Sequence, residues 1–313
     1  MAEPMHTEGV PTQPQTVVPD ENLLNHGQWQ RHDKFWYEDG SMVLRVQNLL
    51  YKIYIGIFTQ LSPVLSEILS IPAQLAVGQL QEGTEAWPLF LAGFTIQEFD
   101  DFMAYLSPPG WKVTDASEQE RMFTGLLKIA DRWQISDARA YAITQLHLMP
   151  LLPSHRLELA RMFTILEWVE PAVRTIFDGK LADLTSDDLD RIGYWVFVLL
   201  VKGKECMATE LQRTASVAPK IDDHDWSCKK PDACAETFKR LWWEKVGRRL
   251  LHPVVPMKTF AIRWEVRTWK HADLNVACCD HMVQKMELKE IEFPDEKIID
   301  GVVQAISNYY LAL

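Results

Sequence analysis

The stretch Phe35–Ser66, FWYEDGSMVLRVQNLLYKIYIGIFTQLSPVLS, decides the fold. Phe35, Trp36 and Tyr37 read as a short strand. Glu38-Asp39-Gly40-Ser41 reads as a tight turn, with Gly40 able to take positive φ. Met42, Leu44 and Val46 recur every second residue, the period of a strand with one buried face, and 50–55 is strand-like as well. Ser62 and Pro63 then make an N-cap and first-turn pair, because proline lacks only an amide hydrogen that has no partner at that position. Strands followed at once by helices in so short a span imply an α+β fold, a small sheet flanked by helices.

Outward from this stretch the signals alternate. Upstream, residues 1–30 carry Pro4, Pro11, Pro14 and Pro19 among polar residues without any apolar period. That composition is expected to form a disordered tail, and it lacks the apolar core of a signal peptide. Downstream, Trp87 to Leu91 suits a buried strand. Thr95-Ile-Gln-Glu98 is a capping box opening a helix to Leu106, which Ser107-Pro108-Pro109-Gly110 should stop. Ser117-Glu-Gln-Glu120 reads as a second capping box. Trp133-Gln-Ile-Ser136 breaks that helix, and 137–148 forms another. From Leu152 onward strand signals fade. Helices are expected at 154–163 and 167–177, and Thr185-Ser-Asp-Asp188 caps an apolar helix through Val201. Residues 212–230 read as a linker or loop, and the remainder as mostly helical. The expected organisation is a tail at 1–30, a domain at 31–148, a helical segment at 149–210 and a mostly helical C-terminal region at 211–313.

The balance of 43 acidic against 32 basic residues gives a net charge of −11, which argues against direct nucleic-acid binding. The basic island from Lys239 to Arg249 is interleaved with Leu241, Trp242 and Trp243, as in an amphipathic helix with a solvated basic face. The longest apolar run, near 194–201, is too short to span a bilayer, which needs about 20 residues. Five cysteines, all late in the chain, suit a reducing compartment, cytoplasm or nucleus, better than a disulfide framework.

Taken together, three sequence blocks resemble the BTB/POZ family, in the form expanded in mushroom-forming fungi. Phe35-Trp-Tyr-Glu-Asp-Gly-Ser-Met-Val-Leu44 is similar to the family's opening strand, turn and strand. Leu61-Ser-Pro-Val-Leu65 resembles its S-x-V-F helix start, and 126–142, LLKIADRWQISDARAYA, its closing helical pair. The resemblance covers 33–148 and extends more loosely over 152–205. One departure is Tyr54, where the family often carries histidine. The resemblance implies a non-enzymatic protein-interaction protein that forms a homodimer through the segment around 35–65, with Leu49 and Ile57 in the interface. It also implies a partner-binding surface near Phe102, Tyr105 and Leu106, with a cullin of a ubiquitin ligase as one partner and an unidentified target as another. The alternative in the same family is a transcriptional or chromatin cofactor. No kelch repeat, zinc-finger array or MATH-like module follows to name the target.

The chemical signal is Cys228-x5-Cys234 together with Cys278-Cys279-Asp280-His281. Structural zinc takes four soft or borderline ligands at tetrahedral positions, which two close pairs from distant segments can supply. Cys228, Cys234, Cys278 and His281 form one such set, with Cys279 as the alternative to Cys278. The competing reading is thiols in the core or at the surface, with no cofactor. A zinc-dependent enzyme in the C-terminal half is a further alternative, although no catalytic cysteine arrangement, phosphate loop or HExxH spacing is present. Trp242, Trp243, Trp264 and Trp269 lie among apolar residues, and most are expected in the core, the alternative being a recognition surface built from one or two of them. Asp100-Asp101 is expected on a solvated helix face, and Asp187-Asp188 at a helix N-terminus.

Overall fold

The computed structural model describes residues 29–70, 82–107, 115–293 and 295–313. The expected tail, apart from Trp29 and Gln30, and the expected helix stop at 108–110 lie outside the described residues. The chain divides into two compact units, Met1–Met149 and Pro150–Leu313. It is α+β, with one small mixed sheet in the first unit and helices throughout the second.

The sheet has the order β1-β3-β2-β4. β1 (Gln30–Trp36) starts five residues earlier than its aromatic end suggests, because its first half is polar and largely exposed. It runs parallel to β3 (Leu49–Ile53), with a register break between Arg31 and Trp36. β2 (Met42–Val46) pairs antiparallel with β3, opposing Leu44 to Tyr51. The turn between them holds Gln47 at φ 52. Gly40 is not at positive φ. Glycine is required there because a Cβ would come within 2.9 Å of the Tyr37 carbonyl oxygen.

Helices α1 (Ile55–Leu61) and α2 (Pro63–Ser70) follow. The Ser62 hydroxyl accepts from the Leu65 amide at 3.1 Å, so the cap read from the sequence forms. β4 (Leu89–Phe90) joins β2 in parallel. α3 (Ile96–Leu106) opens on the complete Thr95–Glu98 capping box. α4 (Ala116–Arg132) is capped by Asp115, whose carboxylate accepts from the Ser117 and Glu118 amides. Ser117 is therefore already inside the helix, and the expected box at 117–120 gives way to a cap two residues earlier. Gln134 at φ 54 turns the chain into α5 (Ser136–Leu148).

The core of this unit is aromatic. Trp133 meets Phe94 and Phe102 edge-on, with centroids 5.5 and 5.4 Å apart, the geometry favoured by ring quadrupoles. Phe58 and Phe99 complete the cluster.

In the second unit, α6 (Pro153–Phe163) leads through a short 3₁₀ turn to α7 (Val169–Asp178). Thr185 and Asp188 form a capping box for α8 (Ser186–Ile192). Gly193 at φ 79 then divides the expected single helix, and α9 (Tyr194–Ser216) begins. α9 crosses the expected boundary at 210/211, so the linker shrinks to 217–230. α10 (Pro231–Leu241) continues through a π-helical segment, Trp242–Gly247, into α11 (Arg248–Leu250). α12 (Ile262–Arg267), α13 (Val276–Glu287) and α14 (Asp295–Leu311) follow. α14 packs back on α7 and α9. Arg174 on α7 ties the two together through Glu296 at 2.9 Å and Asp300 at 3.2 Å.

Trp242 and Trp269 are buried as expected, whereas Trp243 and Trp264 are about half exposed on the opposite faces of their helices. Among the described residues, no helix is long and apolar enough to cross a membrane.

Candidate metal centre and interaction surface

Three of the five cysteines converge with one histidine. His224, Cys228, Cys234 and Cys278 each offer one donor atom, and these atoms all lie within 4.8 Å of one another. Two come from helix starts. Cys234 sits in the first turn of α10 and Cys278 in the first turn of α13, where Asn275 caps the helix through the Cys278 amide. The other two come from the 217–230 loop. Asn275 holds that loop in place, its side-chain amide donating to the Ser227 hydroxyl at 3.1 Å. A Cys228 amide bond to the Asp225 carbonyl at 2.8 Å bends the loop back toward the helices.

The structure brings together Cys228, Cys234 and Cys278 of the expected set and leaves His281 out. His281 stands one turn further along α13, near Asp225, whose carboxyl is held low mainly by Ser227 and in part by His281. In its place His224 puts Nδ1 3.5 Å from Cys278 Sγ. Its spacing from Cys228, three intervening residues, was visible in the sequence and falls within the usual range for zinc ligand pairs. Cys279, the alternative to Cys278, points into the apolar core of the second unit.

All five cysteines are free thiols. Burial pushes the Cys278 thiol up to about 12, with neighbouring thiolates adding to the rise and the Asp225 amide opposing it. Burial does the same to Cys279, up to about 12, and raises Cys234. Thiols so shifted are poor nucleophiles, since the thiolate is the reactive form. A bound cation reverses that balance, because a coordinated thiol is deprotonated outright. The convergence of three thiols and one imidazole is what suits the site to coordination.

The interaction residues expected from the resemblance sort differently. Ile57 on α1 is 49% exposed, while its neighbour Phe58 is buried. Leu49, at the start of β3, is half-buried. Phe102 is fully buried against Trp133 and cannot meet a partner, whereas Tyr105 and Leu106 at the end of α3 are half-buried. Helical spacing explains the split, since Phe102 shares the core face of α3 with Phe99.

Asp100 and Asp101 are internal tie points rather than a solvated face. Asp100 accepts from Tyr51 at 2.8 Å and lies 3.0 Å from His32 Nε2. Asp101 is buried and accepts from Arg121 at 2.8 Å and Gln97 at 3.1 Å. Tyr54 donates to Asp39 and stacks on Tyr37 with centroids 5.1 Å apart.

The chain matches no family model, and no curated protein or solved structure is significantly similar to it.

Proposed function

We propose that this chain is a non-enzymatic protein-interaction protein whose first unit is a BTB/POZ-like module that self-associates and docks a partner. The observation that carries the reading is the element order of that unit. A β2–β3 hairpin, a helical pair, a parallel β4 strand, a capped helix and a closing helical pair follow one another as in the family that 35–65 and 126–142 resemble. The self-association surface centres on Ile57, an exposed large apolar side chain on a helix that otherwise turns Phe58 to the core. Tyr105 and Leu106 are the partner-docking residues in this reading, with a cullin as the partner to test first.

The test is the solution mass of the full chain and of Ile57→Glu, measured by light scattering. The expected result is a dimer for the wild type and a folded monomer for the variant. A monomeric wild type, or a variant that stays dimeric with unchanged circular dichroism, contradicts this assignment of the interface.

A further inference from the structure

We infer that His224, Cys228, Cys234 and Cys278 bind one structural zinc ion, which fastens the 217–230 loop to the starts of α10 and α13. The inference does not depend on the BTB-like reading of the first unit.

Donor type and geometry agree. Zinc bonds of about 2.3 Å to sulfur and about 2.0 Å to nitrogen place tetrahedral ligand atoms about 3.8 Å apart for two sulfurs and about 3.5 Å apart for sulfur and nitrogen. Cys278 Sγ and His224 Nδ1 are 3.5 Å apart, and the whole set falls within 4.8 Å. The thiolates, the soft part of the set, favour zinc over magnesium or calcium, and a lone tetrahedral S₃N site holds zinc without demanding the four cysteines of an iron–sulfur cluster.

The surroundings are those of a thiolate site. The Asp225 amide donates to Cys278 Sγ at 3.3 Å, and the Asn275 amide to Cys234 Sγ at 3.4 Å. Such donors orient sulfur ligands and spread their charge. Two of the thiols sit at helix N-termini, where the dipole favours negative charge. Three thiolates and one neutral imidazole on Zn²⁺ leave a net charge of −1, and Lys229 and Lys230 follow Cys228 directly. Binding releases the three thiol protons to solvent and changes no oxidation state. With four protein ligands no coordination position stays open for a substrate, so the ion is structural.

The site would add a further tie to a loop that has no regular secondary structure. Residues 217–230 contain neither helix nor strand. They hold against the second unit by side-chain contacts from Ile221 and Cys228 to its core, by Asn275, and by a Lys285–Asp223 ion pair at 3.9 Å.

The full chain, purified under reducing conditions without chelator, should carry one equivalent of zinc by elemental analysis. His281→Ala should keep it, and Cys234→Ser or Cys278→Ser should lose it. Because the serine variants can fail by unfolding, cobalt(II) is exchanged into the wild type as a second measurement. A tetrahedral visible spectrum with thiolate-to-cobalt charge transfer is expected, unchanged in His281→Ala and altered in His224→Ala. A chain that takes up neither metal, a weak octahedral cobalt spectrum, or a disulfide among Cys228, Cys234 and Cys278 in the purified chain would overturn the inference.

Discussion

At the scale of single residues, Ser62 connects three elements through one hydroxyl. Its Oγ donates to the Trp133 carbonyl at 2.6 Å at the end of α4 and accepts from the Leu65 amide in α2. Ser62→Ala removes the cap and leaves a buried carbonyl without its partner. Each loss is worth about 1 kcal/mol or more, so a destabilisation of about 2–3 kcal/mol is expected in urea unfolding. Glu98 is a second such point. Burial acts most strongly on its carboxyl and pushes the pKa up, but the Thr95 amide and Lys128 together bring it below the ordinary 4.5. A carboxyl depressed in the folded state adds stability that is complete above the unfolded pKa and is lost as pH falls through the folded one. Glu98→Gln should therefore lower stability at neutral pH and flatten the loss between pH 5 and pH 3, roughly the carboxylate range; an acid limb as steep as the wild type's would argue against this role. Asp100 and Asp101 show what single-residue reading misses, since their partners Tyr51, His32 and Arg121 lie far off in sequence and only the fold brings them close.

At the scale of elements, local chemistry was legible and long-range choice was not. The Thr95 box and the Ser62-Pro63 helix start are short-range signals, and each formed where it was read. The 42–46 strand formed too, but without one-sided burial, since Val43 is buried along with Leu44 and Val46 while Met42 is half-buried. The 117–120 box failed because Asp115 offers an equally good cap two residues earlier, and sequence alone does not rank two adjacent caps. β1 was half hidden because Gln30–Lys34 is polar, and a mostly exposed strand leaves no alternation to read. Three of the four residues in the His224, Cys228, Cys234 and Cys278 group were legible from cysteine spacing. His224 stands alone in a polar loop before Cys228, without the helical i, i+3 spacing that makes Cys278 and His281 look like a pair. Nothing local announces the π segment, whose Trp242 indole donates to the Thr214 carbonyl at 2.8 Å. There Gly247 permits a close approach, since a Cβ would meet the Ala215 carbonyl oxygen at 2.6 Å. Gly247→Ala should cost about 1–3 kcal/mol by overpacking. Gly301, in α14, has nothing within 4 Å of the corresponding position. Gly301→Ala should stabilise by about 0.5–1 kcal/mol through helix propensity. Thermal unfolding of the two variants reads both, and opposite signs are the expected result.

At the scale of the whole molecule, each unit has its own core. The first buries an aromatic cluster around Trp133 and presents Ile57. The second gathers Phe238, Trp242, Trp269 and Cys279 into one core that also includes Cys234 and Cys278. A structural metal helps such a unit by adding binding free energy to folding, as small metal-stabilised domains do. Interaction and metal binding thus make separable claims on one chain, and native mass spectrometry of the full-length protein reads both in a single spectrum. The account predicts a dimer carrying one zinc ion per chain. A metal-free monomer would contradict it.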